Sequence, residues 1–262
     1  MRRTVKRVLG ALQPAAPAAG ATLLIYHRVG GGTADELDVD AASFASQLDA
    51  LAGRDVLSLD AALDRLDADD PRSSLVLTFD DGFEDVYRNA WPLLRDRGLP
   101  FTVYLATAYM GAAMRWEGST AIGEAGRGLS WGQLAEMVGS GLCTVGNHTH
   151  THARPEALTP DELDRCTATI ESRLGVTPRH FTYPWGVAVP CMEAELRRRF
   201  RSASTGELGR NLPGADPMRL RRVPVRRTDP PRFFAAKLSG GLAPERAYAG
   251  IVGAAKALGL RG

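Results

Sequence analysis

The sequence predicts an α/β fold built on a parallel sheet, with its chemistry at the C-terminal ends of the strands. Three observations predict it. Segments of strand length alternate with segments of helical spacing along the chain. The strands are continuous apolar runs such as Leu75-Val-Leu-Thr-Phe79, the pattern of strands buried in a helix-covered sheet. The residues able to do chemistry fall just after those runs: His27, Asp80 and Asp81, His148 to His152, and Tyr183 to Trp185. Both a barrel and an open α/β sheet place their sites there.

Each element has its own reason. Residues 21–26 read as a first strand ending at His27-Arg28, followed by a glycine-rich loop through Gly32. Ser43 to Ala52 carries Phe44, Leu48 and Leu51 on one helical face, and Asp60 to Leu66 is a second short helix. After the strand Leu75 to Phe79, a helix over Val86 to Arg97 is closed by Gly98 and Pro100. Phe101 to Ala106 is the next strand, and the Gly-, Ala- and Ser-rich stretch 107–128 is a long loop. A helix over Ser130 to Val138 leaves through Gly139 and Gly141 into a strand at Cys143 to Val145. Thr159-Pro160-Asp-Glu opens a helix to Leu174, with threonine as N-cap and proline in the first turn. A strand at His180 to Tyr183, a helix at Met192 to Phe200, a strand near Leu220 to Val225 and a helical tail over 231–260 complete the chain.

The 262 residues are 44% hydrophobic and 24% charged, ordinary for one large α/β domain. A net charge of +2 gives no global attraction to nucleic acid. The three cysteines, Cys143, Cys166 and Cys191, are odd in number and widely spaced, which argues against a disulfide framework. Arg2, Arg3, Lys6 and Arg7 precede an apolar stretch too short for a signal segment, and no stretch is long enough to span a membrane. The expectation is a cytoplasmic protein. Residues 1–20 form a flexible basic arm, able at most to touch an anionic membrane, and residues 21–262 form one domain.

Two motifs carry chemistry. In the first, Leu75 to Phe79 drives into Asp80-Asp81-Gly82. Two carboxylates at the mouth of a buried strand are costly unless a cation neutralises them, although Asp-Asp-Gly also makes a plain turn. In the second, three of the five histidines lie in His148-Thr-His150-Thr-His152. One aspartate with two histidines makes a catalytic zinc set that leaves a position open. Spacing leaves open which two: on an extended strand all three share a face, whereas on a turn His148 and His152 converge and His150 turns away.

Thr-Phe-Asp80-Asp81-Gly82 and His148-Thr-x-x-His152 resemble the NodB-type polysaccharide deacetylases, carbohydrate esterase family 4. Phe181-Thr-Tyr-Pro184-Trp185-Gly186, Tyr26-His27-Arg28-Val29 and Leu220-Arg-Arg222-Val-Pro-Val resemble one branch of that family. The resemblance covers residues 22 to about 226. It implies an irregular (β/α) barrel of the NodB type, with fewer strands than the eight-fold barrel. It implies Asp80 as general base, and Asp81, His148 and His152 as ligands of a divalent metal, with Zn²⁺ the expected ion. It implies that the Trp185 backbone N–H steadies the oxyanion while Tyr183 and Pro184 shape the substrate groove.

Two departures from the wider family stand out. Thr182 occupies the place of an arginine that tethers the catalytic aspartate there, and Arg222 either substitutes for it or is a solvated arginine. No histidine follows His180, so the acid that protonates the leaving amine comes from elsewhere, and His27 ends a strand at the right rim. The implied function is metal-dependent removal of an N-acetyl group from an amino sugar in a glycan, glycolipid or glycoside. The alternatives are an amidohydrolase acting on a non-sugar amide and a metal-binding glycan-recognition protein of weak turnover.

Overall fold

The computed structural model describes residues 2–10, 19–119, 121 and 126–257. Among these, seven strands close a barrel in the order β1 (Gly20–Tyr26), β4 (Ser73–Phe79), β5 (Phe101–Leu105), β6 (Cys143–Asn147), β7 (His180–Thr182), β8 (Ser202–Leu208) and β9 (Leu220–Pro224). Every neighbouring pair is parallel, and β9 returns to β1 through Leu23, Leu24 and Ile25. The expected irregular (β/α) barrel is therefore the observed fold. A two-residue pair, β2 (Arg28–Val29) with β3 (Asp38–Val39), lies beside the first strand.

Strand periodicity sorts the side chains into two layers. Leu24, Tyr26, Leu75, Leu77, Phe79 and Phe101 alternate outward and pack under Phe44 of α2 (Ala41–Asp49) and neighbouring helices. Tyr26 lies 5.3 Å from both Phe44 and Phe79 between ring centroids. The opposite faces contribute Leu23, Val76, Tyr104 and Leu220, which cluster with Leu59 and Leu63 of α3 (Leu59–Asp67). The same inward parity continues to Asp80 and Arg222, so the barrel's own alternation delivers those two groups to one mouth.

The structure corrects several expectations. The stretch Val86–Arg97 is not one helix: a π-helical turn, Val86–Ala90, leads into α4 (Trp91–Asp96). Pro92 has no amide hydrogen to continue the ladder, so the helix widens before it. The strand β8 went unseen because Ser-Ala-Ser-Thr-Gly-Glu-Leu has no apolar run. Its small side chains fit a crowded interior, where His180 Nδ1 meets Ser202 Oγ at 2.9 Å and Thr182 Oγ1 donates to the Ser204 carbonyl at 3.2 Å. The tail is two helices, α8 (Pro231–Leu238) and α9 (Ala243–Ala257), broken at Ser239 to Leu242. The helices α5 (Trp131–Gly139), α6 (Pro160–Leu174) and α7 (Glu193–Arg199) stand within a few residues of their expected bounds.

The basic N-terminus is the largest correction. Arg2–Leu9 form a helix, α1, whose Lys6 is fully buried. Lys6 Nζ donates to Asp229 Oδ1 at 2.7 Å and Thr228 Oγ1 at 2.8 Å and sits 4.5 Å over the Tyr248 ring. A flexible arm does not describe these residues; the part of the arm at 11–18 lies outside the described residues. Removing one partner of a buried ion pair costs about 3–5 kcal/mol. Lys6→Ala is expected at the low end of that range, because Lys237 still donates to Asp229 at 2.6 Å. Urea unfolding of the variant measures it.

Candidate active site

Asp80 and Asp81 leave the top of β4 on a turn that changes hand. The Asp80 N–H still donates to the Tyr26 carbonyl at 2.9 Å, extending the sheet. Asp81 then adopts φ 73 and Gly82 φ 86. A left-handed aspartate costs on the order of 1 kcal/mol, and it sends two adjacent carboxylates in different directions within one cavity. A Cβ at Gly82 would also be crowded, lying 3.0 Å from Leu105 Cδ2.

The histidine loop is shaped by its threonines and by Asn147. The His148 N–H donates to the Leu105 carbonyl at 3.1 Å, prolonging β6. Asn147 Oδ1 then accepts from the Thr149 N–H at 2.9 Å, and Thr149 Oγ1 accepts from the Ala153 N–H at 2.9 Å. Thr149 and His152 are left-handed, at φ 66 and 55. This turn selects the second of the two arrangements left open by the sequence. His148 and His152 converge with ring centroids 4.9 Å apart, while His150 Nδ1 meets Thr107 Oγ1 at 2.9 Å.

Asp81, His148 and His152 are buried, and their ligating atoms lie within 4.8 Å of one another. The donor set fits a divalent cation. His148 Nδ1 faces the Thr182 carbonyl at 2.8 Å, a group that only accepts, so that nitrogen carries the proton and Nε2 presents a lone pair. That lone pair points at Asp81 Oδ1 from 3.3 Å, and His152 Nε2 lies 3.4 Å from the same oxygen. Asp81 Oδ1 is buried without a hydrogen bond among the described residues. Burial would raise the Asp81 carboxyl, but His148 and His152 outweigh it and hold it well below the usual range. Burial pushes His152 toward its neutral form. A buried carboxylate oxygen facing two imidazole nitrogens at these distances is what a cation would reconcile.

Asp80 is gripped differently. Arg222 Nη1 and Nη2 donate to its two oxygens at 2.7 and 2.8 Å, and Arg222 Nε donates to the Thr205 carbonyl at 3.0 Å. Both side chains are buried. Burial pushes Asp80 up, yet the paired guanidinium and nearby His148 and His27 leave it below its ordinary value. Arg222 therefore tethers the aspartate, with three of its five N–H donors spent on Asp80 and Thr205. His27 lines the same cavity, with a buried Nδ1 that has no partner among the described residues. The chain after it is pinned by Asp85, which accepts from Arg28 Nε at 2.8 Å and the Val29 N–H at 3.1 Å. Burial lifts Asp85 to about 6 against that pairing.

The cavity joining these groups has a volume of about 300 Å³. Trp185, left-handed at φ 63 and 41% exposed, lines it, and its indole meets His152 edge-on at 5.3 Å. Tyr183 and Pro184 stand elsewhere than expected: both are buried, Tyr183 packs on Phe181 at 5.0 Å, and neither lines the cavity. Sequence reasoning gave Trp116 no place in the site, and it lines the cavity and stacks on His152 at 4.5 Å. It also missed Leu37, Gly206 and Arg226. No motif announces those three; they arrive through loops and strand ends distant in sequence.

A family model described as polysaccharide deacetylase matches residues 67–198. The structure superposes on IcaB from Ammonifex degensii with a TM-score of 0.72 at 30% identity, covering 85% of this chain and 98% of that one. The chain belongs to the polysaccharide deacetylase family. Two more distant structures share the fold. The deacetylase PplD of Streptococcus pyogenes has a TM-score of 0.69 at 21% identity, covering 85% of this chain and 99% of that one. The polysaccharide deacetylase BC0361 of Bacillus cereus has a TM-score of 0.70 at 22% identity, covering 84% and 69%. No curated protein matches in a sequence search. Within this family member, the matched segment holds Asp80, Asp81, His148 and His152, whereas His27, Arg222 and Arg226 lie outside it.

Proposed function

We propose that this protein is a metal-dependent hydrolase that removes the N-acetyl group from an amino sugar of a glycan, glycolipid or glycoside. The observation that carries the reading is the Asp81–His148–His152 cluster beside an arginine-clamped Asp80 in one cavity. A divalent ion held by those three residues, with Zn²⁺ the simplest choice, would act as a Lewis acid on the acetamide carbonyl. Asp80 keeps a free lone pair on each oxygen beyond its bonds to Arg222, so it can take a proton from the attacking water. Water adds to the carbonyl carbon, and the backbone N–H of Trp185 is assigned to the developing oxyanion. The C–N bond then breaks, and His27 delivers a proton to the departing nitrogen, leaving acetate and a free amine.

Acetate release from an N-acetylglucosamine oligosaccharide, with chelator and after re-adding Zn²⁺, tests the reading. Release that survives complete metal removal overturns the metal dependence. Release only from a simple aryl acetamide favours the non-sugar amidohydrolase. No release from either, with metal bound, favours a recognition protein.

His27→Ala is expected to bind metal at full stoichiometry and to lose on the order of 10²–10⁴ in turnover, as for loss of a general acid. The loss shrinks for substrates with an activated leaving group, which need less protonation. Wild-type turnover on an unactivated acetamide removes His27 from the mechanism.

A further inference from the structure

We propose that Arg226 binds substrate directly and selects N-acetylated sugars carrying an anionic substituent, a phosphate or a carboxylate, next to the reacting acetamide. The proposal rests on the deacetylase reading of the same cavity.

Arg226 follows β9 and lines the catalytic cavity with its side chain a quarter exposed. Its fixed contacts lie on one edge. Nη1 donates to Glu245 Oε1 of α9, and the guanidinium carbon sits 5.8 Å from the Tyr248 ring centroid. Its backbone N–H donates to Asp229 Oδ2 at 3.0 Å. Nε and Nη2 have no hydrogen-bonded partner among the described residues. A guanidinium anchored on one edge and open on the other presents a planar fork to an oxyanion.

Its charge is only partly cancelled. Glu245 divides its carboxylate between Arg226 and Lys237, whose Nζ lies 3.0 Å from Glu245 Oε2. Asp229 in turn faces both Lys237, at 2.6 Å, and Lys6, at 2.7 Å. Lys6, Lys237 and Arg226 thus share the buried carboxylates of Asp229 and Glu245, and Glu36, 3.6 Å from Lys6, is shared in turn with Arg2 at 3.6 Å. In the cavity itself, Arg222 is matched by Asp80, and a divalent ion would more than offset Asp81. The lining therefore favours a negative group beside the acetamide. Helices α1 and α9 enter this network, through Lys6 and Glu245, and so fix the guanidinium before substrate arrives.

The test measures kcat/KM for the metal-loaded protein on three soluble substrates. One is a neutral N-acetylglucosamine oligosaccharide, one its 6-phosphorylated counterpart, and one a counterpart with a neighbouring uronic acid. The wild type should favour the phosphate or the carboxylate substrate over the neutral one, and which it favours identifies the anion. Arg226→Gln should lower the anionic-to-neutral ratio on the order of tenfold, mainly through KM, as for one lost charge-assisted hydrogen bond. Arg226→Lys should recover part of that ratio. Equal treatment of all three substrates by the wild type overturns the proposal, as does an equal loss on all three in Arg226→Gln. Either result leaves the deacetylase reading intact. Failure of all three substrates to release acetate overturns that reading, and this proposal with it.

Discussion

Asp81→Ala is expected to lose bound divalent metal and acetate release together, the largest effect of any single substitution here. Asp81 Oδ1 is the point that both imidazoles face, at 3.3 and 3.4 Å. Removing it leaves two nitrogens, too few for a catalytic zinc site. Elemental analysis after dialysis measures the metal, and an acetate assay measures the rate. Retention of one equivalent by the variant would show that the ligand set is different. His150→Ala is the control and is expected to keep its metal, since His150 Nδ1 is engaged by Thr107 Oγ1 away from the cluster.

Asp80→Asn is expected to keep the metal and to lose on the order of 10²–10⁴ in rate, the effect of removing a general base. The variant leaves Arg222 buried without its counter-charge, a condition that costs about 3–5 kcal/mol of stability. Thermal unfolding therefore has to accompany the kinetics, so that a lost fold is not read as a lost base. Arg222→Gln gives the converse: Asp80 stays but its bidentate clamp is gone. It should slow turnover without releasing metal, because the hydrogen bonds of the Arg222 side chain run to Asp80 and Thr205. Metal loss in Asp80→Asn, with the fold intact, would make Asp80 a ligand.

Sequence alone determined the parallel, helix-covered sheet and the two dense motifs for a common physical reason: both are local, whereas the choice of a barrel over an open sheet rested on the family resemblance. A continuous apolar run such as Leu75 to Phe79 can be satisfied only in a covered strand, and the polar residues after it must then stand at the strand's end. Asp80, Asp81 and the histidine window were legible on those grounds. Lost from view was whatever depended on partners remote in the chain. The strand β8 carries little hydrophobic signal because its serines face a polar interior built by β7. Lys6 looked like a surface charge, and only the fold supplies Asp229 to bury it against. The choice of His152 over His150 was made by hydrogen bonds from Asn147 and Thr149 that set a left-handed turn, which spacing could not decide. Arg222 was one of two readings until β9 closed on β1, next to β4, and brought its guanidinium to within 2.7 Å of Asp80, 142 residues away. Charge placement at a barrel mouth depends on which strands become neighbours, so the tertiary structure alone decided which arginine met which aspartate.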